Sequence, residues 1–184
     1  MTRPVDFTAH DLVFAGAQKN FGPAGLTVVI VRKSLLGKAL AICPTMLDYA
    51  VHAKAGSMYN TPPVFPIYVA SLVCQWIAAE GGIAEMNRRA LERSSLIYGV
   101  IDASDGFYIN SYRACERSRM NVVFTLKNPA LQEAFLQQAS EHDLVNLKGH
   151  RLLGGFRASL YNAMPVAGAK ALADFMQDFA HKHG

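Results

Sequence analysis

The chain has 184 residues, of which 51% are hydrophobic and 17% are charged. This length fits one domain or slightly more, and the composition is too apolar for a disordered chain. No run approaches the roughly 18–20 uninterrupted apolar residues of a membrane-spanning helix. The first ten residues lack the apolar segment of a secretory signal. The sequence therefore predicts a folded protein outside the membrane.

The formal net charge is +4, and arginines cluster at 88–93 and at 113–119. Nucleic-acid-binding domains carry basic clusters on one face, but no aromatic residue interrupts the first cluster here. Both clusters are expected to be solvated surface, with anion binding as the alternative. The three cysteines (Cys43, Cys74 and Cys115) contain no CxxC pair and fit neither a disulfide framework nor a zinc site. A reduced, cytoplasmic chain without metal or nucleic-acid partners is expected.

Two apolar runs near the N-terminus predict strands at 11–15 and 26–32. The second, LTVVIVR, is rich in β-branched residues and shows little alternation, as in a strand covered on both faces. The segment between them, GAQKNFGPAG (16–25), is a polar turn punctuated by Gly and Pro. Two buried strands joined by a polar loop predict the interior sheet of an α/β layer, with Lys19 at the centre of the loop.

Helices are predicted in the middle of the chain. A short one is expected near 46–53, and NTPP (60–63) reads as a helix start with Thr61 as N-cap and Pro62 in the first turn. Gly81–Gly82 would end that helix, and a second would run over 84–101. A domain boundary is predicted at this glycine pair, giving domains 1–80 and 81–184. The expected apolar faces comprise Val69, Leu72, Val73, Trp76 and Ile77 in the first helix, and Met86, Ala90, Ile97 and Ile101 in the second.

The remaining pattern predicts a compact α+β unit. Strands are expected at 120–126, 144–147 and 156–162, the last in an antiparallel sheet. Asn128 caps a helix that runs to about residue 142. Pro165 opens a final helix with apolar residues at helical spacing.

Lys19 is the first candidate for chemistry. One interpretation is a lysine that extends out of a surface turn. The other is an amine activated by desolvation between apolar strands, which would be a nucleophile able to form Schiff bases with carbonyl compounds. Position alone favours neither.

Two further groups suit anions. Asn60 and Thr61 lie at a predicted helix N-terminus, where backbone N–H groups favour phosphate, although a plain N-cap worth about 1 kcal/mol is the alternative. In GHRLLGGFRAS (149–159), His150, Arg151 and Arg157 fall within eight positions, and arginine binds phosphate and carboxylate in bidentate fashion. The alternatives are a structural histidine and surface arginines flanking a hairpin. No catalytic triad order, Walker loop or dinucleotide fingerprint is present.

Three segments together resemble phosphoserine aminotransferases: AGAQKNFGPAG, SMYNTPP and GHRLLGGFRASLYNAMP. These enzymes are fold-type I, pyridoxal-phosphate-dependent transaminases of serine and vitamin B6 (pyridoxine) biosynthesis. The resemblance runs from about Arg3 to Gly184, with the segments in the family's order and spacing. It implies an α/β fold: the C-terminal part of the large cofactor-binding domain (1–80), then a small α+β C-terminal domain (81–184).

The resemblance also implies residue roles. Lys19 would hold pyridoxal phosphate through a Schiff base, and Gln18 would contact the cofactor phosphate. Asn60 and Thr61 would reach the phosphate bound to the neighbouring subunit of a homodimer.

The substrate roles follow from the third segment. The resemblance implies that His150 and Arg151 bind the phosphate of phosphoserine or 3-phosphohydroxypyruvate. Arg157 would bind the carboxylate of these substrates and of glutamate or 2-oxoglutarate. A related transaminase or desulfurase is disfavoured, because neither is expected to carry the His150–Arg151 pair.

The family chain is about twice as long and carries its cofactor lysine near the middle, so this sequence is expected to correspond to the C-terminal half. The expected half lacks the residues that stack on the cofactor ring and pair with its nitrogen. Without neighbours, the strands before and after Lys19 would expose apolar edges, and residues 1–80 would be poorly ordered while 83–184 folds. The alternative function is a non-catalytic anion-binding or chain-pairing fragment.

Overall fold

The computed structural model describes residues 2–184, which divide into two compact units. The first unit spans Arg3–Ile83, and the second comprises Ala84–Gly184 together with Thr2. The interpretation of 1–80 and 81–184 as parts of two domains of a larger enzyme stays a prediction.

The first unit opens with an antiparallel hairpin of β1 (Leu12–Gly16) and β2 (Thr27–Val31). The two predicted strands are confirmed, but their predicted burial on both faces is wrong for this chain. No residue of either strand is buried, and the Phe14 side chain is 71% exposed. Among the described residues, these strands pair only with each other. Because no further layer covers them, their apolar side chains face solvent, as expected for strands without neighbours.

A short helix, α1 (Tyr49–Lys54), follows a 3-10 turn at Thr45–Leu47 and confirms the helix predicted near 46–53. Asp48 caps α1: its carboxylate accepts a hydrogen bond of 2.9 Å from the backbone N–H of Ala50. This bond satisfies one of the N–H groups that every helix start leaves without an intrahelical partner.

Helix α2 (Val64–Ala79) begins later than predicted. Thr61 is not its N-cap; Pro63 holds that position, with φ −73° and ψ 80° and no side-chain cap. The reason is steric, because a proline ring disfavours the helical conformation in the residue before it. Thr61 precedes Pro62 and Pro62 precedes Pro63, so neither residue joins the helix.

Only part of the predicted apolar face of α2 is buried. Ile77 is 4% exposed, Trp76 is half-buried, and Leu72 is 45% exposed. The predicted helix end is confirmed: Gly81 and Gly82 have φ of 103° and 73°, a conformation that favours glycine.

The second unit combines a sheet with three helices. Helix α3 (Gly82–Asp102) leads into the three-stranded antiparallel sheet β3 (Tyr108–Ile109), β4 (Asn121–Leu126) and β5 (Phe156–Ser159), in the order β3-β4-β5. Helix α4 (Gln132–Glu141) connects β4 to the segment before β5, and α5 (Val166–His183) closes the chain. Asn128 caps the turn before α4, as predicted. The antiparallel α+β pattern expected for this region is present.

The strand predicted at 144–147 is wrong. Asp143 and Asn146 have φ of 60° and 62°, in the left-handed region, which interrupts an extended strand. Lys148 forms a bridge with Phe156, and Leu147 accepts a backbone hydrogen bond from Arg157.

Aromatic side chains form the centre of the second unit's core. Phe135 of α4 is fully buried, with its ring centroid 4.4 Å from Phe156, 5.0 Å from Phe179 and 5.1 Å from Phe175. Such contacts between strand and helix residues hold the sheet against α4 and α5.

Within residues 2–184, no single helix is long and apolar enough to cross a membrane. Helices α2 and α3 reach the length and apolar composition of a membrane-spanning helix only when they are counted together across the break between them.

Candidate functional site

Lys19 lies in the loop of the β1–β2 hairpin, two residues after the buried residue Ala17. The backbone N–H of Ala17 donates to the carbonyl of Leu26 at 2.9 Å and closes the loop. The carbonyl of Ala17 accepts from the N–H groups of Lys19 at 2.6 Å and Gly22 at 2.8 Å. Three backbone hydrogen bonds on one buried residue therefore fix the turn that carries the lysine.

The same loop packs against the first half of α2. A Cβ added to Gly22 would lie 3.5 Å from Ala70, and one added to Gly25 would lie 3.4 Å from the ring of Pro66. Gly25 also has a φ of 102°, which favours glycine. The loop therefore lies against Pro66 and Ala70 of α2, at distances where a Cβ would make an ordinary contact.

Gln18 and Lys19 are both exposed in this chain. A Cβ on Gly16 would lie only 2.7 Å from Oε1 of Gln18, so the glycine leaves room for the carboxamide over the end of β1. The structure thus supports a well-defined turn around Lys19, while the nucleophile interpretation stays a prediction.

Asn60 and Thr61 are exposed and lie in the extended segment before α2, not in its first turn. The amide of Asn60 donates to the carbonyl of Thr61 at 3.3 Å. The first turn of α2 offers few donors for an anion, since Pro66 has no N–H and Ile67 already donates to Pro63 at 3.1 Å.

His150 and Arg151 are presented by a narrow loop that glycines close. The N–H of Gly149 donates to the carbonyl of Gly155 at 2.8 Å, and a Cβ on Gly149 would lie 2.0 Å from the carbonyl oxygen of Gly154. A Cβ on Gly155 would lie 2.7 Å from the carbonyl oxygen of Phe124. Only glycine fits at residue 149, which lies against residue 154, and at residue 155, which lies against Phe124 of β4.

Within this loop, His150 and Arg151 are both exposed. Nδ1 of His150 accepts a hydrogen bond of 3.3 Å from the N–H of Leu152. A neutral His150 in this arrangement carries its proton on Nε2, which leaves that N–H as a donor for an anion. The loop thus offers an imidazole donor beside a guanidinium.

Arg157 lies in the middle of β5, where it pairs with Val123 of β4 and donates its backbone N–H to Leu147. Its neighbours Phe156 and Ala158 face the core, so the Arg157 side chain points to the other face of the sheet. Nε of Arg157 is buried and has no hydrogen-bond partner among the described residues. A buried guanidinium N–H without a partner favours an anion ligand over a solvated surface arginine.

Most arginines of the two basic clusters have acidic neighbours. Arg88 and Arg113 are exposed, which confirms solvated surface for these two. The Arg88 and Arg89 guanidiniums lower the pKa of the Glu85 carboxyl to about 2. The ion pairs join Arg88 to Glu85 and Glu92, Arg113 to Glu116, and Arg117 to Asp102.

Arg93 is the exception within the first cluster, because it is 1% exposed. The prediction of solvated surface is wrong for this residue. The signal was present in the helical spacing: position 93 follows Ala90 by three residues and precedes Ile97 by four, so it belongs to the apolar stripe of α3. The prediction was wrong because it grouped Arg93 with Arg88 and Arg89 by charge and did not use this spacing.

A surface concavity of about 230 Å³ lies between α4 and α5. Its charged or titratable lining residues are His142, Asp174, Asp178 and Lys182, and none of the predicted site residues belongs to it. No cluster of three or more metal-ligating side chains is found within residues 2–184.

A family model described as aminotransferase class-V matches residues 1–172. The chain belongs to the class-V aminotransferase family. This membership confirms the predicted family resemblance, and the matching structures below confirm the predicted fold class. The site residues proposed from the sequence lie in the lysine turn, the segment before α2, the glycine-closed loop and β5 of this aminotransferase chain.

Individual relatives narrow the comparison. The chain is 53% identical over 184 residues to a phosphoserine aminotransferase of Chromobacterium violaceum. It matches the structure of phosphoserine aminotransferase from Bacillus circulans subsp. alkalophilus at 44% identity with a TM-score of 0.93, over all of this chain and 51% of that one. A crystal structure of PLP-bound phosphoserine aminotransferase from Trichomonas vaginalis is 38% identical with a TM-score of 0.88, over 96% of this chain and 50% of that one.

These matches cover 96–100% of the present chain but only about half of each relative. The chain spans about half the length of the curated relatives that it matches, 51% for the protein from C. violaceum.

Proposed function

We propose that this chain is the portion of a phosphoserine aminotransferase that carries the cofactor lysine and the ligands for the substrate anions. The reaction is amino transfer from L-glutamate to 3-phosphohydroxypyruvate, which yields 2-oxoglutarate and O-phospho-L-serine. The observation that carries the proposal is the Lys19 turn, which Ala17 closes and α2 supports, in a chain 53% identical to a phosphoserine aminotransferase.

The residues of the first unit fit pyridoxal 5'-phosphate by the chemistry of their donors. Lys19 supplies a primary amine, which suits the aldehyde, and Gln18, Asn60 and Thr61 supply neutral N–H and O–H donors, which suit the phosphate. When bound, the cofactor supplies an electron sink for the electrons released at the substrate Cα.

Lys19 acts twice in the proposed mechanism. Its Nζ is the primary amine that would hold the cofactor through its aldehyde. As a free amine, Nζ would remove the proton from the substrate Cα as general base and later return a proton as general acid. The second substrate reverses these steps, which makes the kinetics ping-pong.

The residues of the second unit bind and orient the substrates. His150 and Arg151 bind the substrate phosphate from the glycine-closed loop, and Arg157 binds the carboxylate from β5. The buried, unpartnered Nε of Arg157 supports this role. Since every substrate is an anion, these three side chains would set substrate preference through charge and bidentate geometry.

Two features of the complete enzyme also belong to the proposal. Residues 1–80 and 81–184 correspond to the end of its large domain and to its small domain. The enzyme is a cytoplasmic homodimer in which Asn60 and Thr61 contact the phosphate bound to the neighbouring subunit.

Covalent labelling tests the lysine assignment. The chain is incubated with pyridoxal phosphate, reduced with borohydride and digested, and labelled peptides are identified by mass spectrometry. We expect the label on Lys19 and its loss in Lys19→Ala, whereas Lys38→Ala, which changes another exposed lysine, keeps it. Equal labelling of the wild type and Lys19→Ala would overturn the assignment. Amino transfer is then assayed after mixing with the N-terminal half of the C. violaceum relative.

A non-catalytic, chain-pairing fragment is the second candidate. The observation that favours it is the exposure of large apolar side chains in the first unit, including Phe14 at 71%, Leu40 at 77% and Ile42 at 87%. Calorimetric titration separates the candidates. The enzyme proposal predicts binding of both phosphoserine and pyridoxal phosphate, and the fragment proposal predicts binding of phosphoserine at most.

A further inference from the structure

Arg93 is the largest of the fully buried side chains in this protein. It lies on α3 among apolar neighbours of the second unit's core. No carboxylate of the described residues forms an ion pair with it, and its Nε and Nη2 have no hydrogen-bond partner there. Burial lowers the pKa of Arg93 from its ordinary value, the nearby charge of Arg89 lowers it further, and the charge of Glu92 opposes both. A buried cation that forms no ion pair is costly for a fold.

The one set of hydrogen bonds that Arg93 makes joins two distant parts of the chain. Its Nη1 donates to the carbonyl of Met164 at 2.7 Å and to that of Asn162 at 3.3 Å. Both carbonyls belong to the β5–α5 connector, residues 160–165. An apolar side chain of similar size would fill the same space, but it would not bind these carbonyls.

The β5–α5 connector has other contacts besides those of Arg93. Leu160 donates its N–H to the carbonyl of Met120 at 2.7 Å, and Met164 donates its N–H to the carbonyl of Tyr161 at 2.8 Å. The side chain of Asn162 accepts a hydrogen bond of 3.0 Å from the Thr2 hydroxyl. Among these contacts, those of Arg93 join the connector to α3. Arg157 lies on β5, three residues before Leu160, where the strand leads into this connector.

We infer that Arg93 is a positioning residue for Arg157: by binding the carbonyls of Asn162 and Met164, it fixes the end of β5 and so the guanidinium that faces the substrate carboxylate. The role of Arg157 in this inference rests on the proposed function. The claim that Arg93 fixes the position of Arg157 does not depend on that function, because it concerns contacts within the second unit.

NMR of arginine side chains tests the fixing directly, using the full chain with ¹⁵N-labelled arginine. The buried Nε–H of Arg157 is expected to exchange slowly with solvent in the wild type. In Arg93→Met its exchange should accelerate at least about tenfold, together with that of the Leu160 amide, while the amides of α4 keep their rates. Arg88→Met removes an exposed arginine from the same helix and should change none of these rates.

The outcomes separate positioning from general stability. A uniform acceleration of all amides in Arg93→Met would mean that Arg93 only stabilises the fold, and an unchanged Arg157 Nε–H rate in a folded variant would also overturn the inference. If Arg93→Met does not fold, Arg93→Lys decides, since it keeps the charge but loses the planar fork. A selective rise of about threefold or more at Arg157 in this variant supports positioning, and unchanged rates refute it.

A titration with 2-oxoglutarate then connects positioning to the proposed function. We expect Arg93→Met to weaken 2-oxoglutarate binding by about tenfold or more and to leave inorganic phosphate binding at His150 and Arg151 unchanged. If the wild-type chain does not bind 2-oxoglutarate, the proposed role of Arg157 fails. The exchange rates still decide whether Arg93 positions it.

Discussion

The two units carry similar apolar sequence patterns but bury very different amounts of them. In the second unit, strands and helices enclose Phe135 and its aromatic neighbours completely. In the described part of the first unit, the buried apolar residues are Ala17, Ala70 and Ile77, all at the contact of a loop with α2 or within α2. Phe14, in a strand of equally apolar character, is 71% exposed. An apolar strand can pack against a second layer, but its side chains are buried only where that layer is present.

The candidate site reflects the same difference. In the first unit, backbone hydrogen bonds of Ala17 hold the Lys19 turn, and the Lys19 residue is exposed. In the second unit, Arg157 sits on a strand whose opposite face is part of the core. Three experiments test how far this contrast extends, beginning with the largest expected effect.

Phe135→Ala should destabilise the second unit by about 3–5 kcal/mol, because it removes a fully buried ring and leaves a cavity among its aromatic neighbours. The matched change in the first unit, Phe14→Ala, should alter the free energy of unfolding by no more than about 0.5 kcal/mol. Urea unfolding, followed by hydrogen exchange of peptides from each unit, measures both. Equal costs for the two variants would contradict the contrast. Weak protection of residues 1–80 would support the prediction that this region is poorly ordered.

Gly149→Ala should open the loop that carries His150 and Arg151. Its Cβ would lie 2.0 Å from the Gly154 carbonyl oxygen, so the loop must rearrange, at a cost of about 1–3 kcal/mol. Gly22→Ala is the control in the first unit, because its Cβ would make an ordinary contact of 3.5 Å with Ala70. Thermal unfolding and phosphoserine titration check the pair. Unchanged phosphoserine affinity in Gly149→Ala would argue against phosphate binding by this loop.

The smallest effect concerns acid stability. Arg88 and Arg89 lower the pKa of Glu85 from 4.5 to about 2. A carboxyl whose pKa is lower in the folded state stabilises the fold above pH 4.5, and this contribution is lost as the pH falls through about 2. NMR titration of Glu85 measures the midpoint directly. Arg88→Met should move that midpoint upward, and an unchanged midpoint would show that Arg88 is not the main cause.

Local sequence signals predicted most elements of both units. Asn128, the Gly81–Gly82 pair and Pro165 mark helix ends because capping and left-handed backbone depend on a few neighbouring residues. The same locality explains the errors. Two consecutive prolines delay α2 beyond Thr61, and residues with positive φ interrupt the strand predicted after Asp143.

The chemical groups and their order along the chain follow from the sequence alone: a lysine in a glycine-rich turn, and a histidine and two arginines around a glycine pair. Only the tertiary structure decides which of these groups is buried, which is paired and which glycine is indispensable. Residue 149 must be glycine because a Cβ there would clash with the carbonyl oxygen of Gly154. Arg93 is buried where its helix meets a segment about seventy residues away. The helical spacing places Arg93 on the apolar face of α3, but it does not identify the carbonyls of Asn162 and Met164, about seventy residues away, as its partners.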